Sequence, residues 1–360
     1  MILHRVGPGP GALSAPTISR ELREAGLEVE VVLDPGARLY IGPAAFSGAV
    51  VEKPSRNPGI LLFAPASAGT IARLAHGLEA GVASSGLNAR FVVPDLAAAT
   101  ARYPAVQNNL ALLRDDGFRV IQNSDEGMAS AAVATAAVLG ALGGRLAGKL
   151  VIVTAGGTRE PIDSVRFVGN RSSGKMGLAV AREAMLLGAQ VSVVAANVDQ
   201  VEPGVGWFPV ETVDDMKDAV MDLAGEADAL IMAAAVSDFT PSERLGEKVR
   251  RRDGLRVEFV PTADILTEVR KSYPDLFVAG FAATHGDPVS DAREKLRSKG
   301  ANIIVGNDIS QAGIGFGSGE NEVYVVGKSS VTFVPQTSKT EVARAILDAM
   351  ISEMSKKRRE

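Results

Sequence analysis

The chain of 360 residues contains no cysteine, which excludes disulfides, thiolate metal sites and cysteine nucleophiles at once. Histidine is nearly as scarce: His4, His76 and His285 are too few and too scattered for a histidine metal centre. No charge of one sign dominates. A net charge of −4 offers no general attraction to nucleic acid or to an anionic membrane, so any phosphate binding must be local. Long hydrophobic runs are missing too; the Ala-rich stretch 131–144 is too short to span a bilayer and reads as a packed helix. The opening MILHRVGPGPG lacks the apolar centre of a signal peptide, and neither internal repeats nor low-complexity segments occur. The expectation is a soluble cytoplasmic protein, long enough for two domains with cores of their own.

What is present is an alternation of apolar runs and amphipathic segments. In the first third, helices are expected at 16–26, 68–81 and 105–117, and strands at 28–33, 59–64, 90–94 and 118–122. Ser124 is the expected cap of the Ala-rich helix, with Asp125 and Glu126 favourably placed against its dipole. Gly143, Gly144 and Gly148 punctuate the end of that helix and mark a domain boundary at 147/148. Strand-like runs then follow at 150–154, 190–195, 206–211, 229–235, 255–260, 276–281, 301–305, 322–326 and 331–334. The last two flank Gly327-Lys328-Ser329-Ser330 as a hairpin, and Ser338-Lys-Thr-Glu341 reads as a capping box before a terminal helix. The expected class is α/β: two doubly wound parallel-sheet domains, residues 1–147 and 148–360, the second Rossmann-like with a C-terminal hairpin.

The densest chemistry lies in VIVTAGGTREPIDSVRFVGNRSSGKMG, residues 151–177. Its β-branched opening suits a strand buried on both faces, and Gly156-Gly157-Thr158 lets the backbone turn and approach a ligand. Ser172-Ser173-Gly174-Lys175 then opens a helix running to Leu187, with Ser173 as its expected cap. A glycine turn, small hydroxyls, a lysine and a helix N-terminus together favour an anion, phosphate foremost. Two familiar phosphate motifs do not account for it. Gly169 to Lys175 follows a Walker A loop until Met176 stands where the magnesium-holding hydroxyl belongs. The dinucleotide fingerprint fails because Ala196-Asn197 ends the next strand without a ribose-binding acid.

Other polar groups follow the ends of expected strands, where open α/β sheets hold ligands. Asp238 suits a metal, a ribose hydroxyl or a turn cap; Lys248 and Arg250 to Arg252 suit a triphosphate or a solvated face. Phe281 suits a nucleobase or the core, and Lys295 and Lys299, four apart on one helix face, suit phosphate or solvent. Taken singly, each has an ordinary structural role.

Together they form an ordered set: TAGGTREPID (154–163), NRSSGKMG (170–177), AAAVSDF (233–239), EKVRR (247–251), TADIL (262–266), GFAAT (280–284), the Lys295/Lys299 helix and NDIS (307–310). The set closely resembles phosphopantothenate–cysteine ligase, the second module of the bifunctional bacterial enzyme of coenzyme A synthesis. One departure is Ala263, where the family motif has proline. The resemblance covers residues 149–334 and implies that the carboxylate of 4'-phosphopantothenate attacks the α-phosphate of CTP, releasing pyrophosphate. The acyl-cytidylate then passes to the amine of L-cysteine with release of CMP. It further implies catalytic roles for Asn170, which would hold the acyl-cytidylate, and for Lys248. Lys248, Lys295 and Lys299 would hold the triphosphate, while Asp238, Ala263, Asp264, Ile265, Leu266 and Phe281 would line the nucleotide pocket. Gly156, Gly157, Thr158, Asn170, Ser172, Ser173, Gly174 and Lys175 would hold substrate phosphate. Mg2+ would accompany CTP, with no protein ligand assigned, and the domain would pair as a homodimer.

Residues 1–123 resemble the flavin-dependent decarboxylase that precedes the ligase in that enzyme. GALSAP (11–16), LLFAPASA (61–68) and PAVQNN (104–109) resemble its glycine/serine turn, its APATA segment and its NPAxQxN run. No histidine precedes the Leu61 strand, Pro94-Asp95-Leu96-Ala97 lacks the amide of the PAMN motif, and the catalytic cysteine cannot exist. The expectation is a degenerate domain without decarboxylase activity and without FMN, decarboxylation falling to a separate polypeptide. A non-catalytic regulatory or scaffold subunit is the alternative, disfavoured by the retained Asn170, Asp238, Lys248, Lys295 and Lys299. An NAD(P)-dependent oxidoreductase is disfavoured by the missing fingerprint.

Overall fold

The computed structural model describes residues 1–79, 87–122, 127–248, 254–310 and 318–357. The chain divides into two compact units, Met1–Gly144 and Arg145–Glu360. In the first, β1 (Ile2–Val6), β2 (Val29–Leu33), β3 (Ile60–Ala66), β4 (Ala89–Pro94) and β5 (Phe118–Val120) form a parallel sheet in the order β2-β1-β3-β4-β5. The helices are α1 (Ala15–Glu24), α2 (Ala68–Ala75), α3 (Ala98–Ala101), α4 (Pro104–Asp115) and α5 (Ala131–Ala141). Successive strand residues point to opposite faces, and both faces are covered. Leu62 and Ala64 join Ile18 and Leu22 of α1 and Val138 of α5 in one core, while Leu61 and Phe63 join Ile71, Leu74, Leu110 and Leu113 in the other.

Two sequence expectations need correction here. The first strand, β1, was not anticipated because His4-Arg5 interrupts its apolar run. His4 is nevertheless fully buried. Its Nε2 lies 2.7 Å from the Ala64 carbonyl, which can only accept, so Nε2 carries the proton and Nδ1 accepts from the Ser19 hydroxyl at 2.8 Å. Burial lowers its pKa from 6.5 to about 4. The Ala-rich helix starts at Ala131 and is capped by Ser130, whose side chain accepts from Val133 N–H at 3.3 Å. Gly127 sits at φ 86, a left-handed break that prevents an earlier start. Ser124, Asp125 and Glu126 lie outside the described residues.

The second unit continues with β6 (Leu150–Gly156), β7 (Arg159–Pro161), β8 (Phe167–Gly169), β9 (Gln190–Ala196), β10 (Gly206–Val210) and β11 (Ala229–Met232). It ends with β12 (Phe239–Pro241), β13 (Phe259–Pro261), β14 (Phe277–Thr284), β15 (Ile303–Asp308), β16 (Glu320–Gly327) and β17 (Val331–Ser338). Between them run α6 (Lys175–Leu186), α7 (Val213–Ala224), α8 (Ile265–Ser272), α9 (Pro288–Lys299) and α10 (Lys339–Lys357). The main sheet has the order β10-β9-β6-β11-β14-β15-β16-β17. It is parallel from β10 to β15 and closes with the expected antiparallel hairpin β16-β17. From β6 the chain winds outward first to β9 and β10, then returns to β11, β14 and β15. This is the Rossmann-like doubly wound order, with its switch point between β6 and β11. Helices α7, α8 and α9 share a core with one face of the sheet through Met216, Val220, Val269 and Leu296, and α6 and α10 pack together with β6 and β16.

The expected strand 255–260 is extended only at its end, where β13 begins at Phe259, and β13 pairs with β12 outside the main sheet. Arg256 and Glu258 alternate with its apolar residues, so the run cannot be buried as a central strand. The small hairpin β7-β8 was also unanticipated. Its turn is pinned by buried Asp163, whose Oδ1 accepts from Val165 N–H and Arg166 N–H, each at 2.8 Å.

Candidate active site

A cavity of about 430 Å³ opens at the β6/β11 switch point, within the size range of small-molecule sites. Its back wall begins at the end of β6. Gly156 turns at φ 86, and a Cβ there would stand 1.9 Å from the Ala196 carbonyl oxygen, so no side chain fits. Gly157 N–H donates to the same carbonyl at 3.1 Å. Thr158 is fully buried, and its Oγ1 accepts from Ser237 N–H at 2.9 Å. Gly156, Gly157 and Thr158 therefore stand behind the cavity, outside its lining, and fasten the Ala233–Asp238 segment that does line it.

The front is the loop from Asn170 into α6. Asn170 reaches across the switch point, its Nδ2 donating to the Val236 carbonyl at 2.9 Å. Ser172, Ser173, Gly174 and Lys175 line the cavity. The expected cap, Ser173, is not the cap. Gly174 enters the helix at φ 73 with no side-chain hydrogen bond, so the first amides of α6 keep the donor capacity that attracts anions. Close packing sets the direction of α6: a Cβ at Gly177 would meet Thr154 O at 2.8 Å.

The third side comes from α8, α9 and β14. Ala263, Asp264, Ile265 and Leu266 line the cavity beside Phe281, Lys295 and Lys299, and Asp238 joins them from the β11 loop. Asp264 caps α8 by accepting from Thr267 N–H at 3.2 Å and Thr267 Oγ1 at 2.6 Å, and it pairs with Lys299. Burial pushes its carboxyl upward, but the Lys299 ammonium and the Thr267 donors prevail and hold it below the usual range. Lys295 donates to the Phe281 carbonyl at 2.6 Å. Burial, then the like charge of Lys299, push the Lys295 ammonium below its ordinary pKa. Asn307 of the NDIS motif also lines the cavity.

Lys248 is exposed and outside the lining; residues 249–253, with Arg250, Arg251 and Arg252, lie outside the described set. Two polar lining residues were missed in the sequence, Asn321 on β16 and Lys339 at the start of α10. A signal for Lys339 existed: a cation in the first turn of a helix opposes the helix dipole, and so invites a functional reason. Lys339 is 9% exposed, and burial followed by the charge of Lys175 lowers its pKa. Four lysines, 175, 295, 299 and 339, thus face a cavity lined by two carboxylates, Asp238 and Asp264, the second of them already paired. Such a field holds polyanions. Among the described residues no cluster of three or more His, Cys, Asp or Glu could hold a metal ion, and no helix is long and apolar enough to cross a membrane.

Comparison with known proteins shows the family. Residues 146–354 match the family described as DNA/pantothenate metabolism flavoprotein C-terminal domain. The chain is 31% identical to the coenzyme A biosynthesis bifunctional protein CoaBC of Bacillus subtilis (strain 168), over 96% of this chain and 95% of that one. It is 34% identical to the CoaBC protein of Mycobacterium tuberculosis (strain ATCC 25618 / H37Rv), again over 96% and 95%. A crystal structure of the C-terminal domain of CoaBC matches with a TM-score of 0.52 at 35% identity, covering 59% of this chain and 99% of that domain. The DNA/pantothenate metabolism flavoprotein from Streptococcus pneumoniae shares the fold, with a TM-score of 0.51 at 21% identity over 57% of this chain and 99% of that one. This chain therefore belongs to the DNA/pantothenate metabolism flavoprotein family, together with the bifunctional CoaBC proteins of coenzyme A biosynthesis.

Proposed function

We propose that the second unit is a CTP-dependent phosphopantothenate–cysteine ligase. The observation that carries this reading is the convergence of four lysines and the N-termini of α6 and α10 on one switch-point cavity. Two phosphorylated substrates, a triphosphate and a phosphorylated acid, are what such a field accommodates. Lys295 and Lys299, beside Phe281 and Ala263 to Leu266, hold the nucleotide and its phosphates. Ser172, Ser173, Lys175 and the amides of α6 hold substrate phosphate, and Gly156, Gly157 and Thr158 fasten the facing Ala233–Asp238 segment from behind. Lys248 adds its charge from the exposed loop once substrate is bound. Magnesium would arrive with CTP and neutralise charge on the triphosphate, and Asp238, the cavity carboxylate not engaged in capping α8, would be the residue to hold it.

In the first step a carboxylate oxygen of phosphopantothenate bonds to the α-phosphorus as the bond to the β-phosphate breaks, and pyrophosphate leaves. In the second, the cysteine amine bonds to the acyl carbon, the C–O bond to CMP breaks, and the ammonium proton passes to solvent. Neither step needs a protein nucleophile; both need positioning and positive charge against a crowded phosphorus. Asn170, whose Nδ2 donates to the Val236 carbonyl, binds the acyl-cytidylate in this reading. The first unit acts as a degenerate decarboxylase domain, since a chain without cysteine cannot supply that chemistry's thiol. Decarboxylation then belongs to a separate cytoplasmic polypeptide, and the ligase unit forms the homodimer; nucleic acid and membrane have no part.

The test is pyrophosphate release from phosphopantothenate, L-cysteine and magnesium with either CTP or ATP. CTP is expected to support turnover, and Asn170→Asp to reduce it about 10²-fold or more with the fold intact, as for loss of a donor aimed at the transition state. An Asn170→Asp enzyme running at a near-normal rate would remove that residue from the mechanism. Absence of acid-dependent pyrophosphate release with both nucleotides would favour a non-catalytic scaffold.

A further inference from the structure

The first unit has the flavodoxin-like strand order, in which FMN sits in the crevice where β1 and β3 part. The loop leaving β1 is Gly7-Pro8-Gly9-Pro10-Gly11, and bare glycines in such a turn clear space for a ligand's phosphate. Here a side chain of the same unit takes the space. A Cβ added at Gly9 would stand 2.5 Å from Asp95 Oδ2, and one at Gly11 would stand 2.9 Å from the same oxygen and 3.0 Å from Met128 Sδ. Gly11 N–H donates to Asp95 Oδ2 at 2.9 Å. Asp95 is held in place by the sheet: it follows β4 directly, and its own N–H donates to Ala66 O, at the end of β3, at 3.0 Å. The mouth is also drawn together, because Gly7 N–H donates to Pro65 O at 3.1 Å across the ends of β1 and β3.

The residues present therefore do not fit FMN. We infer that Asp95 is a built-in stand-in for the flavin phosphate, accepting the amide of the glycine loop and closing the β1/β3 crevice to the cofactor. A carboxylate in that position satisfies the loop as a phosphate oxygen would, and repels a dianionic phosphate that approaches it. The inference rests on the proposed reading of this unit as a flavin-type fold that has lost its chemistry.

The experiment titrates FMN into the full-length protein and two variants, following flavin fluorescence and the unfolding temperature, with inorganic phosphate as a second probe. Asp95→Ala removes the carboxylate; Asp95→Asn keeps an acceptor for Gly11 N–H and removes only the charge. Wild type is expected to leave FMN fluorescence unchanged, and Asp95→Ala to bind FMN about tenfold or more tightly than wild type. Both FMN and phosphate should raise the unfolding temperature of Asp95→Ala, with Asp95→Asn between it and wild type; the asparagine variant decides the matter if the alanine variant does not fold. Pyrophosphate release by the second unit, unchanged in both, reports an intact chain. Wild type that binds FMN one to one would overturn the inference, as would variants indifferent to both probes. Variants stabilised by phosphate yet blind to FMN would instead overturn the flavin reading beneath it.

Discussion

Lys295 is asked to remain charged where the surroundings resist it. Burial and Lys299 lower its pKa, with Asp238 and Asp264 only partly compensating, and Lys339 is lowered by burial and by Lys175. A lysine so shifted loses its proton below the ordinary value of 10.5, and stability rises with pH across the window between the lowered value and 10.5, because there the unfolded chain binds the extra proton. On the proposed function, phosphate binding has the opposite dependence, since it needs the ammonium. The KM for CTP is therefore expected to rise on the alkaline side with an inflection below 10.5, and Lys295→Gln should raise KM about tenfold or more and flatten that inflection. Initial rates against CTP from neutral to alkaline pH check both. His4 gives the acid-side counterpart. Its folded-state pKa is about 4 against 6.5, so the unfolded state takes up a proton that the native state refuses, and stability falls as pH drops from 6.5 towards 4. The loss approaches about 3 kcal/mol at about 1.36 kcal/mol per unit. Hydrogen exchange of the β1 amides should accelerate through this window, and His4→Gln should flatten the dependence while weakening the unit at neutral pH.

At the scale of elements, two glycines decide whether the site exists. Gly156→Ala forces a Cβ to within 1.9 Å of a backbone oxygen at a left-handed φ, and Gly174→Ala strains the entry to α6 against Val198 Cγ2 at 2.8 Å. Gly156→Ala is expected to cost about 4 kcal/mol or more, and to abolish soluble expression or collapse the thermal midpoint. Ser130→Ala should cost only about 1 kcal/mol in denaturant unfolding, as a lost helix cap. The strands buried on both faces, such as β6, β9 and β11, were legible because short, nearly continuous apolar runs bounded by polar segments have few other uses. β1 was not, because His4 is a polar residue made apolar by its partners, which the sequence does not reveal. The β7-β8 hairpin and the β12-β13 pair are three-residue strands set by tertiary contacts such as Glu160 Oε1 accepting from Val213 N–H at 2.9 Å, with too little periodicity to read. At the site, Lys175 was legible as an anion candidate from its glycine-serine motif, whereas Lys295 and Lys299, four apart on one helix face, gained a role only through the family resemblance. Lys339 was hidden inside a capping motif that explained its neighbours, and Ser173 lost the cap to Gly174 because only glycine takes the left-handed entry without strain.

Across the whole molecule, the chain spans 95% of the length of CoaBC relatives, yet its two units have kept different things. The second has kept a switch-point cavity ringed by lysines and helix N-termini. The first has a doubly wound sheet of flavodoxin-like order, at whose β1 loop Gly11 N–H donates to Asp95 Oδ2 at 2.9 Å. The most direct measurement follows oxygen through the ligation. Phosphopantothenate labelled with 18O in its carboxylate is incubated with the protein, L-cysteine, magnesium and CTP, and the CMP formed is analysed by mass spectrometry. Attack of that carboxylate on the α-phosphate requires one labelled oxygen in each CMP, matched by one pyrophosphate; unlabelled CMP, or product formed without pyrophosphate, would contradict it.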